Sequence, residues 1–558
     1  MTISRSINQL FSMVCALVAG SCLLMFAGDA PAASEPRIVN IYNFCRDNDF
    51  RATNSKAKLY EATVQQIQLL KKFNLPATFA LQYDALMNTN YQNLFKKELG
   101  KKYEIAAWWE IPQELAEKAG LKWRSEHEWD PRADVGFSPG YTPEERRKLV
   151  DVYMADFKAI FGYYPKTVGS WYIDEVTLAY MADKYGIVAS CNCRDQIGVD
   201  FYTLWGGYWN QAYYPSRLNA YMPAQTRAGQ IDVPIFRMLG SDPIYQHGTT
   251  PDTLTLEPIY RNAGLSTNWV AWFMDSLIRE PSLAFAYTQA GQENSFGWSR
   301  MKTGLTHQFR LFAELEKSGK IRVETLEQSG KWFRQQFQIT PPTSMVALND
   351  WQKEGRKTVW YDSRFYRLNI LWQSDGFFIR DLHGFDQDMV SPTHDTPLTN
   401  TVLTYATLPV MDWAFWHKKI EHAGMWPVLL SADGTTTPMT PAGPPEVKES
   451  GSKELIIRQS LVGGGTFTIV CGESKLTCAA VDGQGQPLRW AWNLVGGPGQ
   501  ESVVQTVTPH GINYQFNGTG YQLRPLPDSG SCQKSSNGDI QIISNNSGKL
   551  VLNLAVGG

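Results

Sequence analysis

The chain of 558 residues has almost no charge to spare: 52 Lys and Arg stand against 54 Asp and Glu, a net charge of -2. That balance excludes a basic field for nucleic acid and an acidic tail for cationic partners. After Phe26 no stretch approaches the roughly 18 to 20 uninterrupted apolar residues that cross a bilayer, so no membrane span is expected in the mature chain. Cysteine is scarce, eight in all, and Cys191-Asn-Cys193 has neither the spacing nor a second pair that a structural zinc site requires. No G-x-S-x-G elbow is present to carry a serine nucleophile. Leu461-Val-Gly-Gly-Gly465 is followed by no Gly-Lys-Ser or Gly-Lys-Thr, which excludes a phosphate loop. There is no internal repeat.

What is present begins with an address. Arg5, an apolar run from Leu10 to Phe26 and the small-residue site Ala30-Pro31-Ala32 read as a secretory signal peptide over residues 1–32, so the mature protein is expected outside the cytoplasm, periplasmic or extracellular. A lipoprotein anchor at Cys22 fits less well, because the apolar run continues past it. Cys15 and Cys22 leave with the signal, and an oxidising compartment permits disulfides among the remaining six; Cys471 and Cys478, on adjacent strand-like runs, are the best candidate pair. Aromatic residues are plentiful, with 19 Trp, 25 Tyr and 26 Phe. Such rings stack on sugars, but they also fill cores.

The length calls for more than one domain. From residue 36 to 338, strand-like runs alternate with amphipathic helices, the pattern of an α/β chain with a parallel sheet and helical crossovers. Eight strands are expected: Arg37–Phe44, Pro76–Leu81, Tyr103–Trp109, one starting at Thr167, Ile187–Cys191, Val233–Met238, Leu283–Thr288 and Lys320–Glu324. Together they make a (β/α)7-8 barrel. Thr142, followed by Pro143, Glu144 and Glu145, marks the start of a helix running to Phe161. Residues 339–433 read as a β-rich accessory region packed on the barrel, the Pro/Thr/Gly-rich stretch 434–445 as a linker, and 446–558 as a C-terminal antiparallel β domain.

In such a barrel, chemistry gathers at the carboxyl ends of the strands. Those ends offer Arg46, Asp47 and Asp49 after the first strand, Tyr83 and Asp84 after the second, and Glu110 after the third. Asp174 and Glu175 follow the fourth, Arg194 and Asp195 the fifth, Arg237, Asp242 and His247 the sixth. Gln289-Ala-Gly-Gln-Glu-Asn294 follows the seventh, and its glycine among amides suits close approach to a hydroxylated ligand. Glycosidic cleavage needs two facing carboxyl groups, one protonated and one ionised. Asp174 or Glu175 with Glu293 is the preferred pair, although one of the adjacent acids has an equal claim as cap of the helix that follows. Trp108, Trp109, Tyr208 and Trp209 are candidate stacking surfaces, the last two in the aromatic run Leu204–Pro215. Gln292 and Asn294 are candidate hydroxyl-binding groups, as are Asp47, Asp49, Glu110, Asp242 and His247. Either Arg46, Arg194 and Arg237 converge on an acidic sugar, or each pairs with a nearby acid, namely Asp47, Asp195 or Asp242.

Pro76-Ala-Thr-Phe79 before Glu104-Ile-Ala-Ala-Trp-Trp109, and Gly169-Ser-Trp-Tyr-Ile-Asp-Glu175 with Tyr185-Gly-Ile187, resemble segments of the polysaccharide-deacetylase-like barrels, which include glycoside hydrolases of families 57 and 38. The resemblance covers residues 36–338 and rests on layout more than on strict motifs. It implies a nucleophile after the fourth strand and an acid after the seventh. It departs from the deacetylases after the third strand, where Trp108, Trp109 and Glu110 stand in place of a His-x-x-x-His pair and His127 lies alone further on. No metal or other cofactor is therefore expected, and the expected partner is a carbohydrate substrate. The alternatives are a sialidase-type enzyme using Asp47 with His127 or His247, a metal-dependent deacetylase, and a non-catalytic carbohydrate-binding protein.

Overall fold

The computed structural model of the protein describes residues 35–51, 55–247, 253–416, 423–535 and 538–555; the expected signal segment, residues 1–32, lies outside them. From Arg37 onward the chain forms one compact unit. No helix among the described residues is long and apolar enough to cross a membrane.

Eight parallel strands build the barrel: β1 (Arg37–Cys45), β2 (Ala77–Leu81), β3 (Tyr103–Trp108), β4 (Thr167–Gly169), β5 (Ala189–Asn192), β6 (Ile235–Arg237), β7 (Ala286–Ala290) and β8 (Arg322–Glu324). They pair in the order β7-β1-β2-β3-β4-β5-β6, and β8 pairs with the first half of β1. The ring fails to close between β6 and β7. There the Gln211 side chain accepts from the Tyr287 amide at 2.8 Å while its backbone carbonyl accepts from the Arg237 amide at 2.9 Å, so one residue bridges the seam.

Alternation along the strands divides the core in two. Phe44, Ala80, Ala106, Trp108, Cys191, Phe236 and Tyr287 fill the barrel interior. Val39, Ile41, Phe79, Leu81, Ala107 and Trp109 face the surrounding helices. The helices begin where local chemistry dictates. Helix α1 (Pro143–Phe161) has a capping box, the Thr142 hydroxyl accepting from the Glu145 amide and the Glu145 carboxylate accepting from the Thr142 amide. Gly162 closes it in the left-handed region. At the end of β7, Gly291 has φ of +103°, and a Cβ there would lie 2.2 Å from the Tyr42 carbonyl oxygen. The glycine therefore serves the packing of β7 on β1 rather than contact with a ligand.

The remainder is antiparallel. A ten-stranded sheet begins with Thr343–Ala347, Lys357–Asp362, Tyr366–Gln373 and Gly376–Gly384. It continues through Gly424–Leu430 directly to Trp490–Val495, with Trp426 opposite Asn493. The sheet thus crosses residues 434–445, and the stretch read as a linker separates no two sheets: strands on both sides of it belong to one. A second sheet of eight strands holds residues 446–481 together with 504–525 and 549–553. The expected Cys471–Cys478 pair does not form. Cys471 lies opposite Leu476 and Cys478 opposite Ile469, a diagonal offset, and all six described cysteines are free and buried.

Candidate active site at the barrel mouth

Arg46 organises the carboxyl ends of β1, β3 and β7. Its backbone is fixed by Asn294, whose Oδ1 accepts from the Arg46 amide at 3.0 Å and whose Nδ2 donates to the Arg46 carbonyl at 2.8 Å. Its guanidinium is fully buried. Nε donates to Glu110 Oε2 at 2.9 Å and Nη2 to Glu110 Oε1 at 2.6 Å, a bidentate fork. Nη1 reaches both Glu293 Oε2 and, at 3.3 Å, Asp49 Oδ2. The Trp129 ring covers the guanidinium carbon at 4.3 Å. Asp49 is held further by Arg51, through Nε at 3.1 Å and Nη2 at 3.1 Å.

Three carboxyl groups thus surround one buried cation, with a second cation on Asp49 alone. The proton affinities of Glu293 and Asp49 separate accordingly. Burial pushes the Glu293 carboxyl up to about 7, against the pull of Arg46. Burial also opposes the charge on Asp49, but Arg46 and Arg51 overcome it and hold this carboxyl below the usual aspartate range. Beside them, Gln292 donates to Glu257 Oε1 at 3.1 Å, and burial raises Glu257 as well. The floor is aromatic: Phe44 stacks on Trp108 with centroids 3.7 Å apart, and the half-buried Trp171 stands edge-on to both. At the rim, exposed Phe50 stacks on His127 at 3.8 Å.

Of the residues singled out in the sequence, Arg46, Asp49, Glu110, Gln292, Glu293 and Asn294 meet here. Trp108 lies beneath them and His127 at the rim, and the others lie elsewhere. Asp174 is the N-cap of helix α2 (Glu175–Tyr185), accepting from the Thr177 amide at 2.9 Å, from Ser138 and, in a fully buried ion pair, from Arg146 at 3.0 Å. That carboxylate is fully buried and holds the start of the helix, so the capping reading describes it. Asp174→Ala is expected to cost about 3–5 kcal/mol, because it strands the buried Arg146 charge and removes a cap. Urea unfolding measures this, and a loss below about 1 kcal/mol would contradict it. Glu175 is buried and accepts from, or donates to, His394 Nδ1 at 2.9 Å; burial raises its carboxyl, and the contact in turn raises His394.

Asp47 points away from the cluster, to Asn88 Nδ2 at 2.9 Å and Lys56. Asp242 receives the indole N–H groups of Trp269 and Trp351, each at 2.8 Å, and ties the barrel to the segment after it. The three arginines do not converge. Arg237 pairs with Asp195 at 2.6 Å, and Arg194 donates to the Asp195 carbonyl at 2.7 Å. Asp195 also receives Arg367, which forks onto Asp381 at 2.8 and 2.6 Å, and Asp381 contacts His247 at 3.0 Å. This fully buried chain of charges joins β5 and β6 to the ten-stranded sheet; burial together with nearby Arg380 drives His247 down to about 4. Trp109 packs edge-on against Tyr153 outside the barrel, and Tyr208 is buried with its hydroxyl on Thr343. Trp209 stacks on Trp360 at 3.8 Å and 2°. These three rings are core, and only Trp108 lies under the mouth.

Arg51, Trp129 and Trp171 were not singled out in the sequence, nor was Glu257. Arg51 belongs to the polar loop after β1 that already supplied Arg46, Asp47 and Asp49, and was legible there. Glu257 lies beyond β6 with no local signature in the sequence around it.

A deacetylase-like barrel raises the question of a metal. Glu110 stands where the histidine pair would begin, and both its oxygens are engaged by Arg46. Among the described residues no group of three or more His, Cys, Asp or Glu is arranged to hold an ion. A guanidinium takes the place of a cation among these acids, and the donor set does not fit a metal.

No protein-family model and no curated protein matches the chain. Among solved structures it is similar to a protein from Parabacteroides distasonis assigned as a glycoside hydrolase/deacetylase, with 14% identity over 68% of this chain and 92% of that one and a TM-score of 0.50. Proteins assigned as polysaccharide deacetylases from Mycobacterium smegmatis and Pseudomonas aeruginosa PAO1 are similar over 55% of this chain and 93% of theirs, with 11% and 12% identity and TM-scores of 0.35. The chain shares a barrel fold with the first of these. At these identities the likeness is one of architecture.

Proposed function

We propose that the protein is an exported carbohydrate-active hydrolase that cleaves a glycosidic bond with retention, using Glu293 as acid and base and Asp49 as nucleophile. One observation carries this reading: both carboxyl groups reach the same nitrogen, Arg46 Nη1, while their proton affinities are driven apart. Two groups so separated have the acid and base roles already assigned. Oxygens sharing one hydrogen-bond donor stand no more than about 6 Å apart, twice a hydrogen-bond length. Retaining pairs stand about 5–5.5 Å apart, and inverting pairs need about 6.5–9.5 Å to admit a water.

In the first step Glu293 gives its proton to the glycosidic oxygen as Asp49 attacks the anomeric carbon, forming a glycosyl ester and releasing the alcohol. In the second, the Glu293 carboxylate takes a proton from water, whose oxygen displaces Asp49. Arg46 and Arg51 stabilise Asp49 as the anion that attacks and leaves. The half-buried Trp171, standing edge-on over buried Phe44 and Trp108, offers the apolar surface for a sugar ring.

Reducing-sugar release from a panel of polysaccharides tests the activity, and proton NMR of the first-formed anomer tests the stereochemistry. Retention is expected, and an inverted product would overturn the assignment of Asp49. The pH dependence follows from the same groups. Glu293 must hold its proton, so kcat/KM falls as pH rises through about 7. Asp49 must be ionised, and its lowered affinity for a proton keeps the acidic limb below the usual aspartate range.

A further inference from the structure

The outer face of the C-terminal sheet carries a polar groove that the barrel chemistry does not use. Strands β9 (Gly511–Phe516), β10 (Thr519–Pro525) and β11 (Lys549–Asn553) place Asn513 opposite Gln522 and Arg524 opposite Asn553. Alternation buries Tyr521, Leu523 and Pro525 beneath and turns Gln522 and Arg524 outward. Two adjoining hollows of about 820 and 420 Å³ share these four residues as a common floor, within the size range of small-ligand sites. The walls are anchored: the Pro509 carbonyl accepts from the Cys532 amide at 3.1 Å, and the Leu526 amide donates to the Val551 carbonyl at 2.8 Å.

The chemistry of this floor is specific. Amides offer a donor and an acceptor side by side, the complement of neighbouring hydroxyls. Among the described residues Arg524 makes no ion pair and Gln522 no side-chain hydrogen bond, whereas Asn513 is turned onto Thr506 at 2.5 Å and Asn553 receives the Ala555 amide at 3.2 Å. The ordered amides thus flank an unengaged guanidinium whose fork matches a carboxylate. Asp528 is the one carboxylate lining either hollow, among the loop residues of the wall.

We propose that this face is a binding site for an oligosaccharide bearing carboxylate groups, with Arg524 taking the carboxylate and Gln522, Asn513 and Asn553 the hydroxyls. The site is separate from the barrel mouth and stands whatever reaction occurs there. The test is affinity electrophoresis of the full chain carrying Glu293→Gln, in gels containing polygalacturonate or neutral dextran. Retardation by polygalacturonate alone is expected, with Arg524→Gln weakening it about tenfold or more. Arg524 is exposed, so the thermal midpoint of that variant should match its parent, and Gln522→Ala provides a second, uncharged probe of the same floor. No retardation of the parent, equal retardation in dextran, or retardation that survives both substitutions would overturn the proposal.

Discussion

Glu293→Gln is expected to lower kcat by about a thousandfold, the contribution of a positioned general acid, while leaving KM close to its wild-type value. Glutamine has the shape of glutamic acid, and its carbonyl still accepts from Arg46 Nη1, so the variant folds and binds. What it loses is the proton that burial keeps on the wild-type carboxyl up to about pH 7. Initial rates of reducing-sugar release, with binding of the same polysaccharide measured in parallel, separate the two effects. A loss of less than about tenfold would remove Glu293 from the reaction.

Arg46→Met is expected to destabilise the fold by about 3–5 kcal/mol, the effect of removing one partner from a buried ionic cluster. Asp49, Glu110 and Glu293 would face one another without the guanidinium that now contacts all three. The penalty has a direction in pH. Unpaired buried carboxyl groups bind protons more tightly, so the variant should lose less stability at pH 5 than at pH 8. Urea unfolding at both pH values measures it, and Arg46→Lys, which keeps a charge but not the fork, should fall between wild type and Arg46→Met. Equal losses at the two pH values would mean that Arg46 holds the mouth by packing on Trp129 and not by charge.

The barrel strands were legible because buried parallel strands and amphipathic helices leave different periods, and the start of α1 because Thr142 and Glu145 carry a local hydrogen-bond pattern. The polar loop that ends in Asn294 was legible for the same reason: its residues are neighbours in sequence. Contacts between distant residues were not. Arg46 and Glu110 are 64 residues apart, and only the packing of β1, β2 and β3 brings them together. Asp174 and Glu175, adjacent acids on one strand end, were indistinguishable until Arg146 claimed the first and His394 the second. Trp209 read as a sugar platform because its run is aromatic and follows a strand; the partner that buries it, Trp360, lies in a different sheet. The ten-stranded sheet crosses residues 434–445 because hydrogen-bond ladders ignore the glycine and proline content of the chain between its strands.

The most direct measurement is an NMR titration of carboxyl carbons in protein labelled at glutamate, with the Glu293 signal assigned by its loss in Glu293→Gln. A midpoint near 7 for this residue is predicted. A midpoint near 4.3, that of an ordinary glutamate, would contradict the account: Glu293 would then be ionised at neutral pH, and no protonated acid would stand opposite Asp49.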